Sequence, residues 1–107
     1  MKYSVVLAES ARQDLFAIFK YIAVNLQSVQ AAAGQFSRIE RAIMSLERLP
    51  ERYRLYDKEV WRGRNLRVMP VDHYLVFYVT AQETLTVTVL RVMYGGRDID
   101  KQLDQIL

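Results

Sequence analysis

The sequence predicts an α+β fold. An N-terminal strand leads into an antiparallel helical hairpin, the hairpin packs on an antiparallel sheet of about four strands, and a short helix closes the chain. Three observations carry this reading. The apolar period changes from about 3.6 residues to about 2 near residue 60. The helical segments come first and the strand segments follow as a group, which argues for helices on one face of an antiparallel sheet. The 107 residues, 51% hydrophobic and 25% charged, suit one domain, residues 1–107, around a single core.

Tyr3, Val5 and Leu7 alternate with Lys2, Ser4 and Val6, the mark of a short half-buried strand that pairs beside the later meander. Ser10-Ala11-Arg12-Gln13 has the spacing of a capping box, in which a Ser and a Gln satisfy free helix amides. The helix after it carries Leu15, Ile18, Phe19, Ile22 and Leu26 on one stripe. Asn25-Leu26-Gln27-Ser28 breaks that helix, and Ser28 caps a second. There Ala32, Phe36, Ile39, Ile43 and Leu46 repeat at helical spacing until Leu49-Pro50, because the residue before proline is pushed out of the helical region. Residues 51–60 are polar and irregular. Leu66, Val68 and Pro70 then alternate with Arg67 and Met69. Residues 74–80 (YLVFYVT) and 84–93 (TLTVTVLRVM) are β-rich on both faces, and their tight connection predicts a hairpin. Gly95-Gly96 ends the last strand, and Asp98 can cap a tail helix with Ile99, Leu103 and Ile106 on one side.

Much chemistry is excluded. With no cysteine there is no disulfide, thiolate nucleophile or cysteine-held metal, which suits a reducing, cytoplasmic setting. No run approaches the ~20 apolar residues of a membrane span, and the N-terminal apolar stretch is too short for a signal peptide. The single histidine, His73, cannot form a two-histidine ribonuclease pair and reads as a turn residue bonded to backbone. No glycine-rich phosphate loop, HExxH motif or carboxylate cluster points to a cofactor or a metal.

The positive features are cationic and phenolic. Residues 51–70 hold Arg52, Arg54, Lys58, Arg62, Arg64 and Arg67 against Glu51, Asp57 and Glu59, which accounts for the whole net charge of +3. Such a segment attracts nucleic acid or an acidic protein, or is simply a solvated loop. Of seven tyrosines, Tyr53, Tyr56, Tyr74, Tyr78 and Tyr94 lie after residue 50, where rings among arginines can stack on bases. Tyr74 and Tyr78 read equally as sheet residues packed on a helix. Arg91 sits inside an apolar strand. It projects from a sheet face left open by the helices, or it is buried beside a partner such as Asp98 or Asp72.

An ordered set of segments spans nearly the whole chain: Tyr3-x-Val5-x-Leu7; Ser10-Ala11-Arg12-Gln13-Asp14-Leu15; Ile18-Phe19-Lys20-Tyr21-Ile22; Leu46-Glu47-Arg48-Leu49-Pro50; Leu66-Arg67-Val68-Met69-Pro70; Tyr74-Leu75-Val76-Phe77-Tyr78; and Leu90-Arg91-Val92-Met93-Tyr94-Gly95-Gly96-Arg97-Asp98-Ile99. In this set the chain resembles the RelE/ParE superfamily of type II toxins. The resemblance implies growth arrest through a core macromolecular target and a cognate antitoxin that wraps the hairpin and sheet edge in a hetero-oligomer. It implies either inhibition of DNA gyrase, as in ParE-like members, or ribosome-dependent cleavage of messenger RNA, as in RelE-like members. An inert toxin-like binding or regulatory module is a further reading.

For a nuclease the resemblance implies Arg67 and Arg91 as phosphate-facing charges, Tyr94 as the proton-handling group and Arg97 as support. Arg62, Arg64, Arg67 and Tyr74 are the candidates for contact with a target or nucleic acid. RelE-like chains often carry an Arg after the Tyr that begins the central strand. Here the pair is His73-Tyr74, and Gly95 falls where a strand-end basic residue is expected. These departures, with two long helices, lean toward the ParE branch and gyrase.

Overall fold

The computed structural model describes residues 2–56, 58, 63–96, 99 and 103. Strand β1 (Ser4–Leu7) precedes helices α1 (Glu9–Lys20) and α2 (Val29–Met44), and strands β2 (Arg67–Val71), β3 (Tyr74–Ala81) and β4 (Thr86–Tyr94) follow. The predicted element order therefore holds, and the sheet runs β1-β4-β3-β2. The β2–β3 and β3–β4 pairs are antiparallel. β1 runs parallel to β4, with Ser4 opposite Thr86 and Leu7 opposite Val89, so the sheet is mixed rather than wholly antiparallel. A parallel pair needs a long crossover, and here α1, α2, β2 and β3 all lie between β1 and β4 in the chain.

The capping box does not form. Helix α1 starts behind Ala8, which is extended and makes no side-chain cap. Ser10 lies inside the first turn, where its hydroxyl donates to the Leu90 carbonyl at 2.8 Å. The hydroxyl ties helix to sheet instead of serving its own helix, while Glu9 in the first turn complements the helix dipole.

α1 ends in a π turn, Tyr21–Asn25, closed by the Leu26 N–H on the Tyr21 carbonyl at 3.3 Å. A wider turn rotates the residues after it; each added residue shifts the stripe by about 100°. Leu26, expected on the buried stripe, is consequently 58% exposed, while Leu15 and Ile22 stay buried. Gln27 turns the chain at φ 53°, and Ser28 Oγ accepts the Ala31 N–H at 3.1 Å, the cap that the sequence predicts. On α2, Ala32, Ile39 and Ile43 are buried, as is Leu46 in the 3-10 turn that follows. Phe36 stays at the hairpin surface, edge-on to Phe19 at 6.3 Å.

Both faces of the sheet are covered. Ala11, Leu15, Ile39, Ile43 and Leu46 pack on Met69, Val76, Tyr78, Val87, Val89 and Val92. On the opposite face Leu66, Val68, Phe77 and Met93 form a second buried cluster with Leu103, flanked by Tyr56 and Ile99. This corrects the expectation of an uncovered sheet face, and it explains why YLVFYVT is apolar at successive positions rather than alternating. In β2, Met69 is buried and Pro70 exposed, so the strand feeds both clusters instead of turning one apolar edge inward. Ile99 and Leu103 are helical; the other residues of the expected tail helix lie outside the described set.

Candidate functional site

The candidate residues divide between the two ends of the sheet. At one end Arg67 is spent on the chain itself. Its guanidinium donates to the carbonyls of Tyr53 at 2.7 Å and Glu51 at 3.2 Å, and its side chain is 18% exposed. Next to it, across β3, the buried Tyr78 phenol donates to the Pro50 carbonyl at 2.5 Å, and burial pushes its pKa up to about 12. Together they clamp the segment after α2 onto the sheet. That segment needs a clamp, because Leu49 has a left-handed backbone at φ 47° before the Pro50–Arg52 turn. Arg52 helps by bonding back to the Leu49 carbonyl at 3.1 Å and Ser45 Oγ at 3.0 Å.

Arg91 is paired with Asp14, while Asp72 bonds Arg38 instead and Asp98 lies outside the described residues. The Arg91 Nε and Nη2 reach the two Asp14 oxygens at 2.6 and 2.9 Å, and both side chains are 16% exposed. Asp14 Oδ2 also accepts the Val92 N–H at 2.9 Å. Beyond the last residue paired with β1, the edge of β4 is thus tied to α1 by Asp14 and Ser10. A bulge opposite Phe77/Tyr78 gives β4 one extra residue, Leu90, just before Arg91 and re-aims the strand there.

At this other end lies a cleft of about 1090 Å³ between the hairpin tip and the ends of β3 and β4. The π turn brings Tyr21 and Ile22 to it, α2 brings Gln30, Gln35 and Arg38, and the strand ends bring His73, Tyr74 and Tyr94. Tyr74 and Tyr94 face each other in the β3–β4 ladder with rings edge-to-face at 5.7 Å. Burial, and then the neighbouring Tyr94 and Tyr21, raise the Tyr74 pKa. The β2–β3 turn places Asp72 at φ 55°, where its carboxylate accepts from Arg38 Nε at 2.8 Å and Gln35 Nε2 at 2.9 Å. Those two bonds, Arg38 first, hold the Asp72 carboxyl below the usual range. Just past Tyr94, Gly95 donates its N–H to the His73 carbonyl at 2.9 Å, and a Cβ there would stand 3.3 Å from that same oxygen.

The structure therefore joins Tyr74 and Tyr94 but not the whole predicted set. Arg67 and Arg91 lie on strands either side of β3, about 10 Å apart, and Tyr94 is about 10 Å further along β4. Arg64 is exposed, and Arg62 and Arg97 fall outside the described residues. Sequence reasoning missed Arg38, Tyr21 and the role of His73 in the cleft wall. The Asp72-His73 turn was the available signal, since a two-residue turn fixes which strand ends meet. Among the described residues no group of His, Cys, Asp or Glu comes together to hold a metal ion, and no described helix is long and apolar enough to cross a membrane.

The hairpin presents a second surface. Phe16, Val24, Leu26, Val29 and Met44 are each at least half exposed. A hollow of about 270 Å³ opens between the helices beside Phe16, Phe19 and Phe36. Apolar exposure on this scale is a mark of protein contact.

Residues 5–99 match the family described as ParE toxin of type II toxin-antitoxin system, parDE. Among solved structures, the chain is similar to one of the chromosomal ParDE toxin–antitoxin system of P. aeruginosa (18% identity, 87% of this chain and 96% of that one, TM-score 0.71). It is similar to one of a RelBE toxin–antitoxin complex of Mycobacterium tuberculosis (24% identity, 88% and 92%, TM-score 0.62). A mutant of the E. coli toxin RelE in the free state also superposes (14% identity, 100% of both chains, TM-score 0.64). No curated protein matches it significantly in sequence.

Proposed function

We propose that this chain, which belongs to the ParE toxin family of type II toxin–antitoxin systems, arrests growth by docking on DNA gyrase rather than by cutting RNA. The observation that carries the reading is the employment of its arginines. Arg67 bonds backbone carbonyls and Arg91 bonds Asp14, so both cations serve the fold. A phosphodiester cleavage site needs cations and a proton carrier aimed at one point. Gly95, at the end of β4, contributes no side chain to such a point. In this reading Arg62, Arg64 and Tyr74 contact the target, with Arg67 clamping the segment after α2 onto the sheet.

The cognate antitoxin covers the exposed apolar side of the hairpin. Support comes from Phe16, Val24, Leu26, Val29 and Met44, and from similar structures that are toxin–antitoxin systems. An amphipathic helix laid into a groove is the recognition mode such a face suits.

The test is expression with and without the adjacent antitoxin gene, followed by two assays on the purified chain. Loss of gyrase supercoiling with intact transcripts is the expected result. Ribosome-dependent messenger cleavage with normal supercoiling overturns the reading and transfers catalysis to Tyr94, Arg91, Arg67 and Arg97. Full growth on expression points instead to an inert binding module.

A further inference from the structure

The cleft beside Tyr94 shares Leu26 with the proposed antitoxin face and Tyr74 with the proposed target contacts, but its Arg38, Gly34 and Tyr94 are used by neither. We propose that it binds a small planar aromatic molecule carrying an anionic group, of which a nucleoside monophosphate is the fitting class, with the ring against Tyr74 and Tyr94 and the anion on Arg38.

Size and shape come first. The cleft, at about 1090 Å³, has room for a ligand of that class. Its helix wall sets the small residues Ala17, Ala31 and Gly34 among larger ones such as Tyr21, Ile22 and Arg38, which leaves room for a flat group beside them. At Gly34 an added Cβ would meet only the Arg38 guanidinium, at 3.4 Å, so the glycine gives that side chain its place. Opposite stands Tyr94, 49% exposed, edge-on to Tyr74 at 5.7 Å and with Gly96 beside its ring, and an aromatic ring so exposed can stack on a flat ligand.

Charge then selects the substituent. Among the described residues two charged side chains line the cleft, Asp14 and Arg38. Asp14 is held by Arg91 at 2.6 Å with both partners 16% exposed, and a pair so enclosed is not readily exchanged. Arg38 is held by Asp72 with the partners 51% and 40% exposed. An ion pair in that much water contributes little. An incoming phosphate can therefore take the guanidinium in a charge-assisted, two-pronged contact. Asp72 then remains hydrated and keeps its bond from Gln35 Nε2. Arg38 is the exchangeable cation of the cleft, and the ligand that profits is anionic.

Phosphate and carboxylate share this chemistry, so the test carries both. The purified full-length chain is titrated with adenosine 5′-monophosphate, adenosine and 3-phenylpropionate, by calorimetry and by amide chemical shifts. The expected result is binding of the monophosphate, with shifts centred on Gly34, Tyr74, Tyr94 and Gly95. Tyr94→Ala should weaken the monophosphate and adenosine alike by about tenfold. Arg38→Gln should weaken the monophosphate by about tenfold and leave adenosine unchanged. Asp72→Asn, which removes the competitor for Arg38, should strengthen the monophosphate alone. Comparable binding of 3-phenylpropionate assigns a carboxylate ligand; its failure assigns phosphate. All three substitution sites are at the surface, and unchanged melting confirms the fold. Absence of binding at millimolar ligand, or binding that survives both Tyr94→Ala and Arg38→Gln, overturns the proposal.

Discussion

Replacing Asp14 by Ala should cost about 3 kcal/mol. The carboxylate accepts three hydrogen bonds, two from Arg91 and one from the Val92 amide. Its loss takes the two-pronged carboxylate partner from a guanidinium that is 16% exposed and removes an acceptor from the edge of β4. Breaking one side of a buried pair costs about 3–5 kcal/mol, and the residual exposure puts this pair at the low end of that range. The lost amide bond contributes about 1 kcal/mol, part of which is already inside that figure. At about 4 °C per kcal/mol for a domain of this size, the melting temperature should fall by roughly 12 °C. Asp14→Asn keeps one acceptor oxygen and should cost about half as much. The double variant Asp14→Leu with Arg91→Met should be less destabilised than the sum of its parts, by at least about 1.5 kcal/mol, because the two sites share one interaction. Urea unfolding followed by circular dichroism measures the wild type, Asp14→Ala, Asp14→Asn, the single variants Asp14→Leu and Arg91→Met, and the double variant. A cost below about 1 kcal/mol for Asp14→Ala, or strict additivity in the double variant, would refute the view that this pair fastens α1 to the sheet edge.

Other perturbations separate further parts of the argument. Ser10→Ala should lose about 1 kcal/mol through its bond to Leu90, whereas Gln13→Ala should stay within about 0.5 kcal/mol; equal losses in urea unfolding would restore the capping box. Tyr78 has a folded pKa of about 12 against roughly 10 unfolded, so its contribution is complete below about pH 10 and lost as pH rises toward 12. That alkaline loss, about 2 kcal/mol, should be absent in Tyr78→Phe, and identical alkaline slopes in the two proteins would count against a buried phenol. Leu49→Gly should be neutral or stabilising by about 0.5 kcal/mol, because relief of the left-handed backbone at φ 47° outweighs the added freedom of the unfolded chain. A clear loss of stability in thermal melts would contradict that balance.

Much of the fold is written in local pattern. Ser28 caps α2 because its partner amide is three residues away, and such a relation is visible in a short window. The β2–β3 and β3–β4 hairpins were legible because each strand meets its sequence neighbour. What escaped depends on distant partners. Ser10 finds Leu90 and Asp14 finds Arg91 across nearly eighty residues, and both contacts follow from the parallel seating of β1 on β4. Alternation in β1 is the same whichever way its neighbour runs, so Val5 and Leu7 reveal burial but not direction. The second buried face was misread because Leu66, Phe77 and Met93 are covered by Tyr56 and Leu103, whose meeting no local spacing announces. Of the cleft, Tyr74 and Tyr94 were legible as candidates; Arg38 looked like an ordinary solvated helix residue until the β2–β3 turn brought Asp72 to it.

The seat between β1 and β3 belongs to β4, which follows both of them in the chain. Until Thr86–Tyr94 emerges from the ribosome, β1 has no neighbour in the sheet, and Ser10 and Asp14 of α1 lack their partners. Closing the sheet therefore waits for β4, and contacts so distant in sequence close slowly. A nascent chain stalled upstream of residue 86 leaves β1 and one edge of β3 unpaired, and such a partly made sheet is a natural client for chaperones and proteases.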